Sequence, residues 1–274
     1  MCNTSIGAES VLVINSTGNH EKTLLILLIP FIAGCYKAKR DYLSNAVSDF
    51  SDGFETYTSV SEFIGTDIWN GSQLTISGNE LSIDTTVVHS GNKSLKCSAT
   101  TTQGDVVSKA GILKNNLGIE EGGVFYFECW YHLESSQPKN IFIADFEEPA
   151  TISSSPGFRL MLNEEGALCV ERRKMTESTL LQTVEQPRIF PLQQWVRIQL
   201  EVKLSQRNKG YIKLWQNGEL ILDHGKVQTM PRDMIYVTQG TSGVFRQVEI
   251  GLTANGSGAP AILYVDDFVI RKIR

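Results

Sequence analysis

Aromatic and charged side chains alternate with apolar ones along several short segments of this chain. Aromatic rings can stack on the apolar CH faces of sugars, and a few charged or amide groups can fix the orientation of the sugar hydroxyls. Segments that carry both kinds on one side therefore favour a polysaccharide or other glycan as ligand. The predicted ligand-binding residues are Tyr126, Glu128, Trp130, Arg159, Glu201 and Trp215. The competing interpretation is that other parts of the chain cover Trp130, Trp195 and Trp215.

These side chains must be positioned by β-strands, because the sequence alternates in twos from about residue 54 onward and shows almost no helical periodicity. In residues 194–204 an unbroken apolar row stands opposite polar and aromatic residues, and residues 157–163 and 248–252 follow the same rule. Alternate residues of a strand face opposite sides, so each segment is expected to be half-buried with one wet face. Asn217-Gly218 between two such segments predicts a two-residue hairpin. The pattern predicts an all-β sandwich or barrel.

Composition and charge exclude some classes of partner. The chain has 274 residues, with 25 Lys and Arg against 30 Asp and Glu, which gives a net charge of −5. Nonspecific binding to nucleic acid depends on contacts from Lys and Arg to phosphate, so no nucleic-acid partner is expected. The length suits one large all-β domain or two small domains and allows a sizeable core.

The N-terminal region has the pattern of an export signal. Residues 23–34, TLLILLIPFIAG, form an apolar stretch that is too short to span a bilayer but suits a signal peptide. The sequence Ile32-Ala33-Gly34-Cys35 resembles the lipobox of bacterial lipoproteins, in which the cysteine receives the lipid. Residues 1–34 are therefore predicted to be a signal peptide, residues 35–50 a lipidated Cys35 and its tether, and residues 51–274 the folded domain. This predicts an extracytoplasmic protein that contacts a bacterial membrane only through its lipid anchor, in the periplasm or at the cell surface.

Two features leave alternatives open in this region. The polar start of the leader suggests that translation begins later, near Val11 or Val13, and an ordinary secretory signal beside a coincidental cysteine is the competing interpretation. Cys97, Cys129 and Cys169 lie in strand-like segments without a CxxC pair. They are predicted to be buried thiols, with one disulfide among them as the alternative in an oxidising compartment.

The order of motifs resembles the concanavalin A-like lectin/glucanase superfamily, with its laminin-G-like and polysaccharide-lyase-like members. Residues 194–223, QWVRIQLEVKLSQRNKGYIKLWQNGELILD, resemble a pattern of that superfamily. In this pattern a Trp begins a long strand, a turn follows, and a second strand ends in W-x-N-G. Residues 248–252, VEIGL, and 261–268, AILYVDDF, are similar to the closing strands of that fold, and Asp52-Gly53-Phe54-Glu55 is similar to its opening. The resemblance covers roughly residues 50–273. It implies a jelly-roll β-sandwich of two antiparallel sheets.

The resemblance implies three functions, because a fold does not fix one. The first is glycan binding without catalysis, which is the main prediction. The second is a polysaccharide lyase that cleaves uronic-acid glycans by β-elimination, and the third is a protein-binding or structural surface protein. Whether the chain is an enzyme is left open. If it is a lyase, the resemblance implies the catalytic residues Tyr211, Lys213, His132 and Arg197, since Tyr211-Ile212-Lys213 resembles the Tyr-x-Lys of alginate-lyase-like members. The Gln-x-His that accompanies it in those families is missing from residues 140–146.

A glycoside hydrolase is a less favoured enzyme class. It requires paired carboxylates about 5–10 Å apart. Asp145, Glu147 and Glu148 form the nearest cluster, and a solvated loop explains them more simply.

No cofactor is required by these patterns, and calcium is the one candidate ion. Related carbohydrate-binding sandwiches often use a calcium ion that joins the first and last strands through oxygen ligands. By resemblance, Asp52, Glu55 and Asp266 (or Asp267) are the candidate ligands. The alternative is that Asp266 and Asp267 cap or pair locally.

Overall fold

A computed structural model describes residues 46–148, 157–232 and 243–274. The signal peptide, Cys35 and most of the predicted tether lie outside the described residues, so export and lipidation stay predictions. Within the described ranges, no helix has both the length and the apolar character needed to cross a membrane.

The regular secondary structure of the described chain is almost entirely β-strand. In order they are β1 Asp49–Asp52, β2 Gly71–Leu74, β3 Glu80–Asp84, β4 Ser94–Ala99, β5 Ser108–Lys114, β6 Ile119–Glu120, β7 Val124–Ser135, β8 Ile141–Glu147, β9 Gly157–Leu162, β10 Leu168–Glu171, β11 Trp195–Lys203, β12 Gly210–Gln216, β13 Glu219–Val227, β14 Val244–Phe245, β15 Gln247–Asn255 and β16 Ala261–Lys272. Two short 3₁₀ turns, η1 Val60–Glu62 and η2 Arg173–Met175, interrupt the strands.

Two large antiparallel sheets form the sandwich, which confirms the predicted fold class. The eight-stranded sheet has the order β13-β12-β11-β7-β16-β4-β3, and β1 pairs with β16. The six-stranded sheet has the order β10-β9-β8-β15-β5-β2. The first and last strands of the domain are neighbours, and the sheet already begins at Asp49, just before the predicted start of the domain.

The core lies between the inner faces of the two sheets, as alternation predicts. In β11 every second residue is buried, and its inward row of Val196, Ile198, Leu200 and Val202 is fully buried. The predicted hairpin joins β12 to β13. Asn217 and Gly218 have φ values of 53° and 82°, so both residues adopt the left-handed conformation that a tight hairpin turn requires.

The cysteine prediction is also confirmed. Cys97, Cys129 and Cys169 are free, buried thiols. Burial raises the pKa of Cys97 and of Cys169 to about 12, so both remain protonated at neutral pH.

The six-stranded sheet departs from the prediction of one wet face. All four residues of β10 are buried, and six of the seven residues of β8 are buried. The interpretation of Asp145, Glu147 and Glu148 as a solvated loop is wrong, because Asp145 and Glu147 lie on β8 and all three are at most 4% exposed. Polar side chains on the outward face of this sheet are therefore covered by other parts of the chain.

Candidate active site

A row of charged residues crosses the outward face of the six-stranded sheet. Glu249 on β15 pairs in register with Asp145 on β8, and Asp145 pairs with Arg159 on β9. Arg159 in turn pairs with Glu171 on β10. These residues alternate with apolar neighbours that fill the core, so the pleat places all four on the side away from the core. We call Glu249, Asp145, Arg159 and Glu171 the charged row.

Two cations neutralise most of the acids on this face. Arg159 Nε donates to Glu171 Oε2 at 2.8 Å. Lys174, which η2 places over β8, donates to Asp145 Oδ2 at 2.9 Å and forms a second, short ion pair with Glu147. Burial alone would raise the pKa of Asp145, but the positive charges of Lys174 and Arg159 hold it below its ordinary value. Asp145 is therefore ionised at neutral pH.

Glu249 differs from the other acids of the row because neither carboxylate oxygen has a hydrogen-bond partner, although the residue is only 1% exposed. Its side chain lies over Gly111 of β5, where a Cβ atom would stand 2.9 Å from Glu249 Oε1. Burial, followed by the negative charge of Asp145, raises the pKa of Glu249 to about 8. A buried unpaired polar group is costly and needs an explanation, and a functional site is one.

Lys109 supplies a cation that no acid neutralises directly. It lies on β5 of the same sheet, and its Nζ donates to Gln73 Oε1 at 2.6 Å. Among the described residues it forms no ion pair with a carboxylate. Further along the face, the Arg159 guanidinium carbon lies 4.0 Å from the centre of the Phe142 ring. The face thus combines a cation able to bind an anionic group, an aromatic surface and an unpaired carboxyl group.

The four predicted catalytic residues lie on the other sheet, and the structure does not bring them together. Tyr211 pairs with Lys203, which pairs with Val124 of β7, whereas His132 is eight residues further along β7. At about 3.4 Å per residue this separates the Tyr211 and His132 positions by roughly 27 Å. Tyr211 instead donates to Glu201 at 2.6 Å. One substrate bond cannot contact both Tyr211 and His132.

Lys213 and Arg197 also lie in ion pairs on the eight-stranded sheet. Lys213 Nζ lies 3.9 Å from Asp223 Oδ2, and Arg197 donates to Glu128 Oε2 at 2.7 Å. On this face of the sheet, the charged side chains therefore pair with one another.

The predicted ligand-binding residues are divided between the two sheets. Arg159 belongs to the charged row, whereas Tyr126, Glu128, Glu201, Trp130 and Trp215 lie on the eight-stranded sheet. The His89 ring stacks on Trp130 with ring centroids 3.6 Å apart. Another part of the same chain therefore covers this tryptophan, as the competing interpretation predicts. Trp215 is half-buried, and Tyr126 and Glu128 hydrogen-bond to each other and to Gln199.

Sequence reasoning missed Lys109, Lys174 and the part that Glu249 and Asp145 play. A signal was present, because each of these acids interrupts an otherwise apolar strand. The alternation of apolar and polar residues correctly predicts that Glu249 faces away from the core. The prediction that this face is exposed to solvent is wrong.

The predicted calcium ligands do not form one cluster. Asp52 accepts three hydrogen bonds from the chain around it, and Glu55 accepts backbone N–H groups of the loop after His89. Among the described residues, Asp266 lies instead with His89 and Asp267, whose ligand atoms are all within 4.8 Å of one another. Backbone N–H donors occupy both oxygens of Asp266, which fits a local cap better than a cation site. Calcium binding by Asp52, Glu55 and Asp266 is not supported by this donor set and stays untested.

Solved structures with similar folds include two named as polysaccharide lyases. An endo-β-1,4-glucuronan lyase from the fungus Trichoderma reesei is 18% identical with a TM-score of 0.58, covering 74% of this chain and 90% of that chain. The cellulose-induced protein Cip1 is 19% identical with a TM-score of 0.51, covering 72% and 87%. The PL-14 alginate lyase from Aplysia kurodai is 14% identical with a TM-score of 0.50, covering 83% and 99%. At these identities the similarity shows the jelly-roll fold alone.

A comparison with family models is more specific. No curated protein matches this chain in sequence. A family model described as polysaccharide lyase matches residues 56–269, which is most of the chain and all of the strands that form the charged row. The chain therefore belongs to the polysaccharide lyase family.

Proposed function

We propose that this protein cleaves a uronic-acid-containing polysaccharide by β-elimination, with the outward face of the six-stranded sheet as its active site. The observation that carries the proposal is that one sheet of a polysaccharide-lyase chain holds both a cation without a carboxylate partner, Lys109, and a carboxyl group without a hydrogen-bond partner, Glu249. Lys109 is suited to bind the substrate carboxylate and Glu249 is suited to exchange a proton. The activities for which two structural neighbours are named, on glucuronan and alginate, support uronate polymers as the substrate class.

The main sequence-based prediction, a glycan-binding protein without catalysis, is wrong. The family match over residues 56–269 and the lyases among the structural neighbours favour the alternative that the sequence also suggested. Glycan binding itself is retained, because a polysaccharide lyase acts on a glycan.

The chemistry of β-elimination explains the demand for a cation. The proton at C5 of a uronate becomes acidic enough to remove only when the charge of the neighbouring carboxylate is neutralised. A preorganised cation in a water-poor site stabilises the negative charge that develops on that carboxylate. Lys109 meets this requirement, since its ammonium contacts a neutral amide and not an acid.

A glycoside hydrolase would need two available carboxyl groups, one on each side of the scissile bond. Glu249 and Asp145 are neighbours across β15 and β8. However, Asp145 Oδ1 accepts from Thr253 at 2.7 Å and its Oδ2 accepts from Lys174 at 2.9 Å. Asp145 therefore has no free oxygen facing a substrate, and elimination fits this geometry better than hydrolysis.

Incubation with a panel of polymers tests the proposal. The absorbance of the C4–C5 double bond should rise when the full-length protein is mixed with at least one of glucuronan, alginate or a heparin-like polymer. A neutral β-glucan serves as the control and should give no rise, since it has no carboxylate to bind Lys109 and no acidic C5 proton. Constant absorbance with every uronate polymer would contradict the proposed function.

A further inference from the structure

We infer that Glu249 is the catalytic base that removes the C5 proton of the substrate. This inference rests on the proposed function and deepens it, because it assigns the proton transfer to one side chain of the charged row. The assignment follows from which groups on the six-stranded sheet are able to accept a proton.

The six strands that form this face contain no histidine and no tyrosine. Tyr211 and His132, two of the catalytic residues that the resemblance implies, lie on the other sheet. Lys109 is committed to charge neutralisation. The proton acceptor among the described residues of this face is therefore a carboxylate.

The other carboxylates of the face are already engaged. The two oxygens of Asp145 accept from Thr253 and Lys174, as described above. Glu147 accepts from Lys174 at one oxygen and from Gln247 Nε2 at 2.7 Å at the other. Glu171 accepts from Arg159 at 2.8 Å and from the backbone N–H of Arg173 at 2.9 Å. Glu249 is left as the one acid of the charged row with both oxygens free.

The groups around Glu249 make it a stronger base than an ordinary carboxylate. Burial and the negative charges of Asp145 and Glu147 on β8 disfavour its ionised form. Lys109 on β5 and Lys174 on η2 partly offset them. The negative charge of Glu249 also adds to the effect of burial that raises the pKa of the Cys97 thiol on β4. The resulting pKa of about 8 lies near the pH at which a general base works best.

The step balances in atoms and electrons. The ionised Glu249 takes the C5 proton, and the electrons of the C5–H bond form the C4–C5 double bond. The C4–O4 bond breaks, and its electron pair stays on O4 of the departing sugar. O4 then takes the proton from Glu249, which restores the carboxylate and completes a new reducing end. Both oxygens are buried in this structure, so the C5 proton can reach them only when this face opens to the substrate.

Replacement of the carboxyl by an amide tests the assignment. Glu249→Gln keeps the size of the side chain and removes its basicity, so kcat on the best polymer should fall by about 100-fold or more. The wild-type kcat/KM should rise with pH and level off above about pH 8. Glu134→Gln, on β7 of the other sheet, is the matched control and should keep the wild-type rate. A folded Glu249→Gln protein with the wild-type rate would overturn the inference and leave the proposed function intact, whereas an inactive wild type would overturn both.

A stability measurement reads the same group without substrate. The folded-state pKa of Glu249 is raised from 4.5 to about 8, so the unfolded chain ionises first. Wild-type stability should therefore fall relative to Glu249→Gln as the pH rises from about 4.5 to about 8, with the difference constant outside that window. Thermal unfolding across this pH range provides the measurement. Parallel curves for the two proteins would show that Glu249 ionises normally and would count against its role as a tuned base.

Discussion

Replacing Lys174 by methionine should lower the free energy of unfolding by about 3–5 kcal/mol at pH 7, as expected when one partner of a buried ion pair is removed. The Lys174 side chain is 23% exposed, but its partners Asp145 and Glu147 are 1% and 5% exposed. Without the ammonium, two buried carboxylates would face each other with no cation between them. Urea denaturation at neutral pH measures the difference.

An exposed ion pair provides the control for this prediction. Arg188 and Glu219 form a close contact of 2.7 Å, but their side chains are 51% and 47% exposed. Arg188→Met should therefore cost far less stability than Lys174→Met, because water and salt screen exposed pairs. If both variants lost the same small amount, the charged row would not be the desolvated network that the structure describes.

Replacing Lys109 by methionine should lower kcat/KM on the preferred uronate polymer by about 100- to 1,000-fold, the usual effect of removing one group that stabilises charge in a transition state. The Lys109 ammonium contacts the Gln73 amide at 2.6 Å and is free to bind a substrate carboxylate. Because that carboxylate gains negative charge as the C5 proton leaves, kcat should fall as well as the affinity. Initial rates over a range of polymer concentrations separate the two effects.

Lys96→Met is the matched control for Lys109→Met. Lys96 lies on β4 of the eight-stranded sheet, where its ammonium stands 5.8 Å from the centre of the Tyr264 ring. Lys96→Met removes the same charge from the opposite side of the sandwich and should leave the rate of cleavage unchanged. Equal losses in the two variants would mean that overall charge attracts the polymer and that Lys109 has no special place.

Local sequence pattern was sufficient for much of the fold. The inward row of β11 is buried and the turn at Asn217-Gly218 is formed, because both depend on periods and dihedral angles that a few neighbouring residues set. Alternation also placed Glu249 on the outward side of β15. It could not show that this face of the sheet is buried, since burial depends on tertiary contacts such as that of Lys174 on η2 with Asp145 on β8.

Predicting the candidate site would have required the strand register and the order of the strands in the sheet. Asp145 and Arg159 lie on consecutive strands, but Glu249 comes from a strand near the end of the chain, and only the order β9-β8-β15 makes the three neighbours. The same limit applies to the predicted catalytic residues of the eight-stranded sheet. Tyr211 and His132 share one face of the eight-stranded sheet, but sharing a face says nothing about position along the strands.

The mass of the products distinguishes elimination from hydrolysis. Elimination adds no water, so each new non-reducing end carries a double bond and the fragment is one water lighter than the product of hydrolysis. Mass spectrometry of the fragments released from glucuronan or alginate should show this lighter, unsaturated series. Fragments of the hydrated mass, or a polymer left intact, would contradict the account of this protein as a polysaccharide lyase.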